Sequence, residues 1–155
     1  MTNVFLKMIY TTEFKPVTLA LASEDGNEFY AIFTDFGKSN IFIKNVLFKY
    51  SMPETADVCG TREEVKKALK LFFCKIPDIK IWVDLGAREW VIFMDMFESS
   101  ILPPNVSYAY GDIGTLLYVK GFVLYNAKEQ ISGIRDSYYT KMSARQGLET
   151  LKKLL

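Results

Sequence analysis

Two alternating apolar runs, residues 17–23 (VTLALAS) and 28–33 (EFYAIF), are separated only by Glu24-Asp25-Gly26-Asn27. Asp-Gly suits a tight turn that needs positive φ, and period-two alternation on both sides marks the pair as a β-hairpin. A third run, residues 4–12, is rich in β-branched and aromatic residues and is broken by Phe14-Lys15-Pro16, so it reads as a strand preceding the hairpin. Three sequential strands joined this tightly predict an antiparallel meander, and whatever follows must cover its faces.

The remainder supplies that cover. Thr61-Arg62-Glu63-Glu64 is a capping box, and Val65, Leu69 and Phe72 follow at helical spacing, which predicts a helix over 62–74. Residues 76–83 (IPDIKIWV) hold a short apolar strand after the proline, of the kind found in a sheet interior. Residues 88–97 carry Trp90, Met94 and Phe97 on one stripe and read as a second helix. Leu102-Pro103-Pro104-Asn105 reads as a rigid surface loop, and residues 112–119 as a third helix with Asp112 at its N-cap. Ser143-Ala144-Arg145-Gln146 has the form of a second capping box that opens the last helix. Residues 40–50 fit strand and helix equally, residues 51–60 read as a loop, and residues 121–141 show no decisive pattern. Strands first, then helix, strand and helices, give an α/β domain: a three-stranded antiparallel unit plus a parallel strand, flanked by helices.

The chain has 155 residues, the length of one domain spanning 1–155, and 50% of them are hydrophobic. That is enough for a core of its own. The net charge of +1 neither favours nor excludes nucleic acid. No apolar stretch is long enough for a membrane span, and the N-terminal run lacks the pattern of a secretory signal. Cys59 and Cys74 are therefore expected as free thiols in a reducing cytoplasm.

There is no histidine. Ser-His-Asp and Cys-His catalysis and histidine metal sites are thereby excluded. Among nine glycines there is neither a phosphate-binding P-loop nor a dinucleotide fingerprint. Carboxylates, tyrosines, lysines and hydroxyls are what remain for polar chemistry.

Three short blocks stand out in order: Thr11-Thr12-Glu13-Phe14 at the expected end of the first strand, Trp82 followed by Gly86-Ala87-Arg88-Glu89 where a strand passes into a helix, and Leu102-Pro103-Pro104. This layout resembles the DEDDh 3′–5′ exonucleases of ribonuclease-H-like fold, in particular the small bacterial ribonuclease-T-like exoribonucleases. Their first strand ends in Asp-Thr-Glu-Phe, their second block is Gly-Ala-Tyr-Asp, and a His-x-Ala-x-x-Asp block opens their last helix. Here the last block reads Met142-Ser143-Ala144-Arg145-Gln146-Gly147. The resemblance implies a ribonuclease-H-like mixed sheet and two-metal phosphodiester hydrolysis with Mg²⁺ or Mn²⁺ held by four carboxylates. It makes Glu13 and Glu89 the candidate catalytic residues, and Glu13, Glu89, Asp84 and Asp112 the candidate metal ligands, with Glu149 a more distant substitute.

The departures fall on the machinery itself. Thr11 stands at the first aspartate, Gly147 at the last and Met142 at the histidine. In a related subclass a tyrosine four residues before the aspartate replaces the histidine, but Tyr138 and Tyr139 are followed at that spacing by Met142 and Ser143. The expectation is a degenerate exonuclease-like domain, catalytically impaired, that binds single-stranded RNA or DNA or a protein partner, with Mg²⁺ or Mn²⁺ as cofactor if it is active and otherwise none. An active exoribonuclease with an altered carboxylate site and a pure protein-interaction module on the same scaffold are the alternatives. Each acidic residue also has a plain structural reading. Glu89 suits the first turn of a helix, Asp84 a loop or cap, Asp112 an N-cap, and Glu13 a solvated strand end. The aromatics Phe14, Phe33, Tyr108, Tyr110 and Tyr125 are expected mostly in the core, with one or two available to stack on bases.

Overall fold

The computed structural model describes residues 1–36, 52–84, 87–98, 101–122, 127–133 and 139–155. The ambiguous 40–50 segment, Gly86, Tyr125 and Tyr138 lie outside them.

The described residues form a six-stranded mixed sheet flanked by helices. Its strands are β1 (Thr2–Tyr10), β2 (Pro16–Ser23), β3 (Glu28–Phe33), β4 (Val58–Gly60), β5 (Ile79–Val83) and β6 (Gly111–Asp112), in the order β4-β3-β2-β1-β5-β6. β1, β2 and β3 form the expected antiparallel meander, and Gly26 takes φ +90° in the hairpin turn. β5 runs parallel to β1 and β6 parallel to β5, while β4 adds a parallel edge on β3. This is the α/β arrangement expected from the sequence, and it is consistent with a ribonuclease-H-like layout. β4 and β6 are three and two residues long, too short to show alternation, and both come from stretches that read as a loop or a helix start.

Among the described residues the α-helices are α1 (Arg62–Phe73), α2 (Arg88–Met96), α3 (Ile113–Val119), α4 (Ala127–Ser132) and α5 (Thr140–Leu154). The Thr61 capping box forms as read: Thr61 Oγ1 accepts from the Glu64 N–H, and Glu64 Oε2 accepts from the Thr61 N–H at 2.7 Å. The second box does not form. α5 begins three residues before Ser143, with Tyr139 at its N-cap and no side-chain cap, and Ser143 is buried inside the helix. Packing overrides the local signal there, because buried Thr140 is fixed to Thr18 of β2 by a 2.5 Å hydroxyl–hydroxyl hydrogen bond.

Strand alternation divides the core between the two faces of the sheet. Val4, Leu6 and Met8 of β1 join Val65, Leu69 and Phe73 of α1 and Trp90 and Phe93 of α2 on one face. Phe5 of β1 and Trp82 of β5 join Ile113 and Leu117 of α3 and Ala144, Leu148 and Leu151 of α5 on the other. Lys7 and Asp84 continue the Phe5 and Trp82 registers, which puts both on the face covered by α4 and α5.

Candidate functional site

β1 and β5 pair only from Thr2–Phe5 against Ile79–Trp82. Beyond that the two strands part, and the gap between them is where polar groups gather. Glu89, in the first turn of α2, sends its carboxylate into this gap. Its Oε1 accepts the backbone N–H of Met8 at 3.2 Å, and its Oε2 lies 3.5 Å from the backbone nitrogen of Asp84. One carboxylate thus serves backbone groups of both strands at the point where their own ladder ends.

Lys7 completes the arrangement. Its Nζ lies 3.1 Å from Asp84 Oδ2 and 3.1 Å from Glu89 Oε1. A second ammonium, that of Lys128 on α4, lies 2.5 Å from Asp84 Oδ2. The two carboxylates are the buried acids among the described residues, with Asp84 8% and Glu89 6% exposed. Such burial demands pairing, and two ammonium groups meet two carboxylates. Burial alone would lower the pKa of Lys7, but the charges of Glu89 and Asp84 and the hydrogen bonds to them outweigh it and hold the ammonium above its ordinary value. Burial would likewise raise Asp84, but Lys7 and Lys128 hold its carboxyl below the usual range. The quartet is a self-neutralising charge cluster.

Of the five acids singled out in the sequence, the structure brings two together, Asp84 and Glu89. Glu13 is elsewhere. β1 ends at Tyr10, so Thr11-Thr12-Glu13-Phe14 lies beyond the strand, in a turn closed by the Thr11 N–H to Lys15 carbonyl and Phe14 N–H to Thr11 carbonyl hydrogen bonds. The Glu13 side chain is 71% exposed and pairs with Lys15 at 3.2 Å. Among the described residues no hydrogen bond or ion pair joins Glu13 to Asp84 or Glu89. Asp112 is the N-cap of α3, its Oδ1 accepting the Thr115 N–H at 2.8 Å. Glu149 pairs with Lys152 on the surface of α5.

The blocks aligned with missing machinery serve other ends. A Cβ added at Gly147 would fall 2.2 Å from Cε1 of Phe5, so α5 rests on β1 through a bare backbone where the resemblance puts a carboxylate. Met142 Sδ receives the Arg145 guanidinium at 3.8 Å, and Arg145 is itself held by Glu28. Of the aromatics expected in the core, Phe33 is fully buried and Tyr110 stacks on Trp90, whereas Phe14 and Tyr108 are more than half exposed.

Sequence reasoning missed both lysines. The signal for Lys7 was present: one cation in the centre of an apolar strand, VFLKMIY, is rare unless paired. Lys128 carried no comparable signal, since it follows a stretch without a clear pattern.

The Mg²⁺ or Mn²⁺ site that the resemblance implies does not fit these residues. Hard divalent cations need several carboxylate oxygens facing them. Among the described residues no group of three or more acids, cysteines or histidines is placed to hold a metal ion, and the two acids that do converge already face ammonium groups. Cys59 and Cys74 are free and exposed. None of the described helices is long and apolar enough to cross a membrane. No protein-family model matches the chain, and no curated protein matches it.

Proposed function

We propose that this domain is a degenerate 3′–5′ exonuclease-like protein that acts by binding single-stranded RNA or DNA, or a protein partner, and not by metal-dependent hydrolysis. The observation that carries this reading is the position of Lys7 Nζ, 3.1 Å from an oxygen of Asp84 and 3.1 Å from an oxygen of Glu89. Two-metal hydrolysis works by holding two cations between acidic side chains so that they clamp the attacking and leaving oxygens. Here lysine side chains supply the positive charge, and a tethered ammonium offers neither an open coordination position nor a bound water to activate. Removal of either lysine leaves two acids, and Glu13 is not beside them. The working-exonuclease alternative requires Glu13 to join that pair; the pure interaction module requires only the scaffold. Two free thiols suit a reducing compartment such as the cytoplasm.

The test is incubation of a fluorescent single-stranded RNA with the intact protein and Mg²⁺ or Mn²⁺. The expected result is no shortening at enzyme excess. Metal-dependent shortening from the 3′ end that Glu89→Gln abolishes contradicts the reading and restores the exonuclease alternative. Salt-dependent RNA binding without cleavage identifies nucleic acid as the ligand, and absence of such binding leaves the protein partner.

A further inference from the structure

The outer surface of α2 carries a groove of about 510 Å³, with Phe14 on one side and Arg88, Val91, Met94 and Asp95 along the helix, over a floor that includes Trp90. These helix positions recur at three- and four-residue spacing and so form one stripe. Two large apolar side chains are held in water there, with Phe14 54% and Val91 58% exposed. Phe14 is held out by a backbone in the left-handed region, φ +60°, a conformation that residues with side chains seldom adopt.

The charges around the groove are uneven. The Asp95 carboxylate is already engaged by Arg62 at 2.6 Å, and Lys15, next to Phe14, is paired with Glu13. The Arg88 guanidinium lies 6.0 Å from the centre of the Phe14 ring, and among the described residues no carboxylate lies within ion-pair distance of it. Among the described residues the rim therefore presents one positive charge without a carboxylate partner, beside an apolar trough.

We propose that this groove binds a short segment of a partner protein, with a large apolar side chain seated between Phe14 and Val91 and an adjacent acidic group on Arg88. The inference rests on the reading that the domain acts by binding, and it deepens that reading by giving the ligand a chemistry. The volume falls in the range of pockets that enclose a small ligand and accommodates a leucine- or phenylalanine-sized side chain. Phenylalanine, methionine and arginine are all enriched at protein interfaces, and Met94 can adjust its shape to the occupant. Single-stranded nucleic acid is less well served, because its backbone needs a track of cations, and among the described residues this rim offers one that is not already paired with a carboxylate.

Selection of random peptides displayed on phage against the intact protein tests the proposal. Enriched peptides are expected to carry Leu, Ile or Phe next to Asp or Glu. A synthetic peptide of that consensus, followed by fluorescence anisotropy, is expected to bind at least tenfold more weakly to Val91→Asp. Arg88→Glu is expected to turn the selected preference from acidic to basic neighbours. Both positions are exposed, so an unchanged melting temperature shows that the variants are folded. Enrichment indifferent to Val91→Asp, a preference unmoved by Arg88→Glu, or no enrichment at all overturns the proposal. So does an oligothymidylate that occupies the groove with the same dependence on Val91 and Arg88. The RNA-cleavage result is read separately and stands whichever way this selection falls.

Discussion

The ammonium of Lys7 lies 3.1 Å from Glu89 Oε1, joining the middle of the first strand to the first turn of α2 across 81 intervening positions. The same ammonium reaches Asp84 at 3.1 Å. Replacing Lys7 by Met removes the charge but keeps the aliphatic stem, leaving two buried carboxylates with Lys128 as their remaining ammonium. Breaking a buried pair in this way costs roughly 3–5 kcal/mol. Because Lys7 keeps about a quarter of its side-chain surface in water, the expected loss is about 2–3 kcal/mol. Urea unfolding of the wild type and Lys7→Met measures it directly.

Glu89 has two tasks that substitution separates. Its oxygens accept backbone hydrogen bonds where β1 and β5 part, and its charge faces Lys7. Glu89→Gln retains a carbonyl oxygen for the Met8 N–H, but loses the charge and turns an NH2 donor toward the Asp84 N–H. Glu89→Ala loses both and leaves a buried N–H unsatisfied, which costs roughly a further 1–3 kcal/mol. The stability order wild type, then Gln, then Ala is expected. Equal stability of the two variants would show that the backbone contact contributes nothing.

The quartet sets limits at both ends of the pH scale. The Asp84 carboxyl is held below its ordinary value in the folded chain. Its contribution is therefore complete above the unfolded pKa, about 4, and is lost as pH falls through the lower folded value. Lys7 is held above its ordinary value. Its contribution is complete below the unfolded pKa, about 10.4, and is lost as pH rises through the higher folded value. Thermal unfolding across pH should therefore show a plateau between roughly pH 4 and pH 10 as far as these groups are concerned. In Lys7→Met the alkaline decline should be shallower than in the wild type.

Gly147 tests the packing of α5 on the sheet. An alanine there puts Cβ 2.2 Å from the Phe5 ring, and Phe5 is fully buried, so helix or ring must move. Overpacking of this kind costs about 1–3 kcal/mol. Gly147→Asp adds a buried carboxylate to the same clash and should not fold stably. A Gly147→Asp variant with wild-type melting behaviour would show that α5 can lift from β1.

The meander and the α1 helix were legible because their signals are local: alternation, an Asp-Gly turn and a reciprocal cap. The edges β4 and β6 were not, since strands of three and two residues exist only through the neighbours they pair with. The Ser143 box was misleading for a related reason: the Thr18–Thr140 contact starts α5 earlier than any local signal does. In the candidate site, Asp84 and Glu89 were singled out by sequence as metal ligands and the structure pairs them with lysines, while Glu13 was placed at the end of a strand that stops at Tyr10. The lysines went unread because a charge inside an apolar strand identifies its partner only through the parallel pairing of β1 with β5, a contact between residues more than seventy positions apart.

Titration of the intact protein with Mn²⁺, followed through the electron paramagnetic resonance signal of the free ion, probes the filled carboxylate pair most directly. With Lys7 and Lys128 in place the free-ion signal should track total manganese into the millimolar range, and Lys7→Asp, which turns a cation into a third acid, should take manganese up. Stoichiometric uptake by the wild type that disappears in Glu89→Gln would contradict the account, because the two acids would then be holding metal and not the lysines.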